Sequence, residues 1–154
     1  MTATGHALVG AAIGSQITNP ILGLPLSFLS HFVFDKLPHW DTMTNRKEKT
    51  SEQIIKETIV DVLLGYFLVA LIFIFTLHVN SPAYVLLNAF VAQLPDWLEA
   101  PYSVLKFKLP FFYENYKIQS YVHHLWFDSR LKAPWGIVTQ LVVVTIFLLW
   151  ALQK

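Results

Sequence analysis

The stretch Thr58-Ile-Val-Asp-Val-Leu-Leu-Gly-Tyr-Phe-Leu-Val-Ala-Leu-Ile-Phe-Ile-Phe-Thr-Leu-His-Val79 decides the fold class. Only Asp61, Gly65, Tyr66, Thr76 and His78 interrupt its apolar run, and a second run, residues 135–152, carries no charge at all. At about 1.5 Å per residue, each can cross a bilayer core about 30 Å thick. The whole chain agrees. It is 55% hydrophobic and 14% charged, where a soluble domain carries about a quarter charged residues. The expectation is an all-α integral membrane protein, and 154 residues suit a single membrane domain.

Working outward, three shorter apolar runs appear at residues 5–17, 21–34 and 82–94. Runs of this length are ambiguous between buried and spanning helices, but their punctuation is informative. Asn19-Pro20 and Gly23-Leu24-Pro25 divide the first pair, and Asn80-Ser81-Pro82 separates the long run from the third. Such breakers are what tight helical hairpins require. Five hydrophobic helices follow, as two hairpins plus a C-terminal span over 135–152. From Tyr102 to Phe127, nine aromatic residues interleave with Lys106, Lys108 and Lys117. That mixture suits the headgroup zone, so residues 102–132 are expected to form an interfacial segment with a helix that roofs the site.

The first residues lack a basic region and a cleavage site, so no removed signal peptide is expected. Without cysteine, disulfides and thiolate metal sites are excluded. A formal net charge of +1 leaves no nucleic-acid footprint.

The chemistry lies in Ser30-His-Phe-Val-Phe-Asp-Lys-Leu-Pro-His-Trp-Asp41. His31, Asp35 and His39 fall at i, i+4 and i+8, which on a helix stacks them on one face. Imidazole and carboxylate together are ligands for zinc and similar divalent ions. His124 and Asp128 repeat the pattern near the other end, with His123 beside them as an outer-shell or surface residue. Asp61 sits one turn into a long apolar helix, where an ionisable group needs a partner or a polar cavity.

Threaded as hairpin, hairpin and single span, the chain brings His6, His31, Asp35, His39, Asp41, Asp61, Asp96, His123, His124 and Asp128 to one end, with His78 at the other. The same end collects Lys36, Arg46, Lys47, Lys49, Lys56, Lys106, Lys108, Lys117, Arg130 and Lys132, against Lys154 alone opposite. By the positive-inside rule that end is cytoplasmic, which predicts a multi-pass protein of the cell (inner) membrane with the site toward the cytoplasm.

An internal duplication is visible between residues 5–41 and 60–99. His6-Ala-Leu-Val-Gly10 aligns with Asp61-Val-Leu-Leu-Gly65, and Leu37-Pro38-His39-Trp40 with Leu94-Pro95-Asp96-Trp97. Hairpin repeats are common in membrane proteins. The alignment pairs His6 with Asp61 and His39 with Asp96 as ligands, and makes Trp40 and Trp97 interfacial anchors. Gly10 and Gly14 form a small-xxx-small step for close helix packing. The expected metal set is therefore His6, His31, Asp35, His39, Asp61, Asp96, His124 and Asp128.

Thr4-Gly-His-Ala-Leu-Val-Gly-Ala-Ala-Ile-Gly14, the Leu-Pro-Asp of Ala92-Gln-Leu-Pro-Asp-Trp-Leu-Glu-Ala-Pro-Tyr102, and His123-His-Leu-Trp-Phe-Asp-Ser-Arg-Leu-Lys-Ala-Pro-Trp-Gly136 together resemble the YdjM-like family of membrane-bound metal-dependent hydrolases. The segment around His31 is similar to a motif of zinc-dependent phospholipase C and related nucleases, with a shorter spacing to proline. The family's His-Arg-Gly-x-Thr-His-Ser segment is not found here. The resemblance implies a zinc-type hydrolase, with manganese or iron as other metals, cleaving a phosphoester such as a phospholipid or lipid-linked headgroup. Asp35 or Asp61 would accept the proton of the attacking water, and Arg130 or Lys132 would neutralise phosphate if they are more than positive-inside charges. The alternative is a non-catalytic membrane scaffold or interaction protein whose His/Asp metal site is structural. Ion or proton transport ranks below both, because the far half of these helices is nearly pure Leu, Ile, Phe and Val.

Overall fold

The computed structural model describes residues 1–124 and 131–153. Among them the chain is all-helical. The five expected hydrophobic helices are α1 (Ala3–Gln16), α2 (Pro20–Asp35), α3 (Ser51–Val69), α4 (Pro82–Ser103) and α6 (Trp135–Ala151), and the aromatic and basic segment between α4 and α6 contributes α5 (Pro110–His124). Local chemistry explains the starts. Thr2 caps α1 by accepting from the Gly5 amide, and Asn19 caps α2, with Pro20 in its first turn. Thr50 and Gln53 form a capping box on α3. α3 continues as a π-helical stretch, Ala70–Thr76, so that Ser51–Thr76 is long and apolar enough to cross a membrane, alone among the described helices.

Two boundaries differ from expectation. α2 ends at Asp35, because Pro38 disfavours helical backbone at the preceding residue; His39 therefore lies beyond the helix. In contrast α4 runs through Pro95 and Pro101 to Ser103 and does not stop near Leu94. Its neighbours hold it in place: α1 and α2 pack along it, and Asn115 of α5 donates to the Pro95 carbonyl at 3.0 Å.

α1 is the hub. Residues 5–14 are all buried, enclosed by α2, α3, α4 and α6. Small residues make this possible. A Cβ on Gly10 would lie 2.5 Å from the Asn88 carbonyl oxygen, and one on Gly14 would lie 2.7 Å from the Asn88 amide nitrogen. Three helices grip the first turn of α1. Asp61 accepts from the Ala3 and Thr4 amides at 2.7 and 3.1 Å, Gln140 accepts from Thr2 at 2.7 Å, and Gln93 donates to the Ala3 carbonyl at 2.9 Å.

Polarity is distributed inside out. Ser27, Asn88, His6, His31, Gln93 and Gln119 are buried, whereas Leu29, Leu63, Phe67, Phe75, Leu141 and Ile146 are exposed. The interior combines hydrogen-bonded polar side chains, such as Ser27 donating to Asn88 at 2.7 Å, with an apolar core that includes Ile54, Val69, Phe73 and Val85, while many other large aliphatic side chains are exposed.

Candidate metal centre

At the end of the bundle where α1 and α3 begin and α2 and α4 finish, Asp35 closes the last turn of α2. It is 2% exposed, and three imidazoles surround it. His6 Nε2 lies 3.0 Å from Oδ1, while His31 Nε2 and His123 Nε2 lie 3.2 and 3.4 Å from Oδ2. The Met1 amino group also contacts Oδ1. His31 and Asp35 meet because they stand one helical turn apart, as the spacing requires.

His31 is fixed from both sides. Its ring stacks on that of His6 with centroids 4.0 Å apart. Its Nδ1 donates to the Ala92 carbonyl at 2.8 Å, which turns Nε2 toward Asp35, toward Asp96 at 3.5 Å, and toward the Gln119 amide oxygen at 3.3 Å. Gln119 also donates to Asp96 at 3.4 Å. His39 is oriented in the same manner, its Nδ1 donating to the Leu37 carbonyl at 2.8 Å. Backbone carbonyls that hold Nδ1 and free Nε2 are the usual outer shell of metal-binding histidine.

α6 supplies no donor but holds the His39 loop. Trp40 donates to the Gly136 carbonyl at 3.1 Å, Leu131 donates to the His39 carbonyl at 2.6 Å, and Gln140 donates to the Trp40 carbonyl at 2.7 Å. Thr139 bonds the Pro38 carbonyl.

Two groups of donors result, His6/His31/Asp96 and Asp35/His39/His123, each with one ligand atom per residue within 4.8 Å of the others. They could hold a metal ion, and two observations fit one. A metal bound at 2.0–2.2 Å in tetrahedral geometry sets its ligand atoms about 3.3–3.6 Å apart, which matches one pair in each group, His31 with Asp96 at 3.5 Å and His123 with Asp35 at 3.4 Å. Moreover, His6 Nδ1 and His39 Nε2 are buried with no hydrogen-bond partner among the described residues, a costly state for polar atoms.

The expected ligands divide as follows. His6, His31, Asp35, His39 and Asp96 are brought together. Asp61 has another task, since both its oxygens are occupied by the backbone of α1. It lies outside both donor groups, and the duplication therefore does not carry His6 and Asp61 into equivalent roles. His124 points outward, exposed, its Nδ1 on the Ser120 carbonyl at 2.7 Å. Its neighbour His123, taken from the sequence as outer-shell or surface, is the buried donor of that pair. Adjacent helical residues face about 100° apart, so α5 can present only one of them. The stripe Phe112, Tyr116, Gln119 and His123 is the signal that would have chosen it. Asp128 and Arg130 lie outside the described residues.

A cavity of about 110 Å³ reaches Asp35, Asp96 and His123. A second, of about 170 Å³, adjoins it and is bordered by Arg46, Tyr116, Ser120, His123 and His124. Comparison with known proteins adds no assignment: no family model, no curated sequence and no solved structure matches the chain.

Proposed function

We infer that this chain is a multi-pass membrane protein that hydrolyses a phosphoester with a divalent metal at the cytoplasmic face. The membrane part draws on the inside-out distribution of polarity. Soluble proteins rarely expose contiguous apolar patches above a few hundred Å², and close packing through glycine and alanine with buried Asn88 and Ser27 is how helices associate in lipid. The lysines and Arg46 at the donor end support a cytoplasmic orientation.

The observation that carries the hydrolase reading is Asp35, a member of one donor group that also touches His6 and His31 of the other, beside an accessible cavity. His6, His31 and Asp96 would hold one ion, and Asp35, His39 and His123 a second, zinc by preference and manganese or iron as alternatives. Such an ion supplies an acidified water and polarises a phosphoryl oxygen. Within the donor groups Asp96 is the exposed member, its side chain 47% accessible, so it takes the role of proton acceptor in place of Asp61. The substrate class is a phospholipid or lipid-linked headgroup, and the family likeness rests on the quoted motifs.

Elemental analysis of untagged protein in nanodiscs, followed by assays on bis(p-nitrophenyl) phosphate and on phospholipid vesicles, tests this reading. Stoichiometric metal with chelator-sensitive phosphoester cleavage is expected. Protein that stays folded and metal-free after metal addition would sink it. The sealed state of His6, His31 and His39, each at most 1% exposed, favours a second reading, a structural ion in a membrane scaffold; full metal occupancy without any hydrolysis would select that.

A further inference from the structure

The cavity beside Asp35 has a defined shape. The first residues of the chain, Met1 to Ala3, together with Gln93, residues 41–43 and His123, line it along with one face each of α3 and α4. Ile54, Thr58 and Val62 line one wall, and Trp97, Ala100 and Val104 the other. Both sets recur at helical spacing, so each wall is a continuous face. α3 and α4 therefore stand on either side of it. The two helices separate there because α3 packs chiefly on α1 and touches α4 sparsely. Trp97 is 43% exposed, and α3 carries exposed Ile55, Ile59 and Leu63.

Thus a cleft with the donor cluster at one end and mostly apolar walls, broken by Asp61, Glu99 and Ser103, lies between two helices that carry exposed apolar side chains. We propose that it is the entry and binding subsite for one acyl chain of a phospholipid, which enters from the bilayer between α3 and α4 with its phosphate directed at the donor cluster. A phospholipid, with its charged head and apolar tail, matches both parts of this cleft. Ile54 to Val62 spans about 12 Å of helix, room for several methylenes of one chain. A free, water-soluble phosphoester would leave the apolar walls unused. The inference rests on the membrane reading given above and is independent of the hydrolytic chemistry.

The test uses full-length protein in nanodiscs that contain a phospholipid bearing a diazirine near the carboxyl end of one acyl chain. Photolysis and peptide mass spectrometry then map the labelled residues. Labels are expected at Ile54, Thr58, Val62, Trp97 and Ala100, in addition to belt positions such as Leu63 and Leu141. Ala100→Trp and Thr58→Trp, which fill the cleft from opposite walls, should each lose the cleft labels and keep the belt labels and the helical circular dichroism. Two variants are used so that one misfolded protein does not decide the result. Labels on the belt alone, or cleft labels that survive both substitutions, would overturn the proposal. Metal content measured on the same samples separates the two readings. Cleft labelling in a protein that binds no metal keeps the lipid subsite and removes the hydrolase, whereas bound metal with an unlabelled cleft removes the subsite and leaves the metal centre standing.

Discussion

A single carboxylate with three imidazole nitrogens 3.0–3.4 Å away is a demanding arrangement, and it sets the residue-scale expectations. His123→Ala should remove a donor and lower metal stoichiometry, while His124→Ala, an exposed neighbour, should leave it unchanged; elemental analysis of both variants decides. Gln119 touches both His31 and Asp96. Its replacement by alanine should weaken metal affinity by roughly 10–100-fold in a chelator competition, the usual effect of losing an outer-shell partner. Much of this site was legible beforehand, because His31 and Asp35 share one helix and their spacing alone brings them together. His39 was legible for a partly mistaken reason: the chain leaves the helix before reaching it, and returns it through a loop held by α6. The choice between His123 and His124 was not legible from the His-x-x-x-Asp pattern, since spacing within one helix says nothing about which face meets the bundle. For Asp61, the sequence offered an ionisable group in an apolar helix and no hint that the backbone of α1 would be its partner.

At the scale of elements, the contact of α1 with α4 decides stability. Gly10→Ala would drive a Cβ to 2.5 Å from a backbone oxygen that cannot swing aside, and overpacking of this kind costs about 1–3 kcal/mol. Gly5→Ala is the control, since its Cβ would meet only the flexible Met1 side chain. Thermal unfolding in detergent should show a lowered midpoint for the first variant and little change for the second. Asp61→Asn retains one acceptor for the two amides that Asp61 now satisfies. A loss of about 1 kcal/mol, the ordinary worth of a helix cap, is expected with metal content intact; loss of metal would restore Asp61 to the ligand set. The helices were legible as apolar runs divided by Asn-Pro and Ser-Pro. The course of α4 was not, because a proline read in isolation signals a stop, and only the helices packed around Pro95 and Pro101 show why the helix continues.

For the molecule as a whole, the belt of exposed aliphatic side chains predicts that the protein sediments with membranes and resists alkaline carbonate extraction. Release into the soluble fraction would remove the membrane reading. Chelation should lower the unfolding midpoint, since a ligand at 100 times its dissociation constant stabilises the folded state by about 2.7 kcal/mol; an unchanged midpoint would speak against a bound ion. Fold class was readable because hydropathy requires no tertiary knowledge, whereas the cleft between α3 and α4 depends on how helices diverge, which no local pattern encodes. One consequence concerns synthesis. The hub, α1, leaves the ribosome before the other five helices, yet its first turn is completed by Asp61, Gln93 and Gln140. The last of these belongs to α6, the last of the six described helices. The first of these six helices therefore waits longest for its surroundings, and a chain interrupted before α6 would present the quality-control machinery with an unfinished centre.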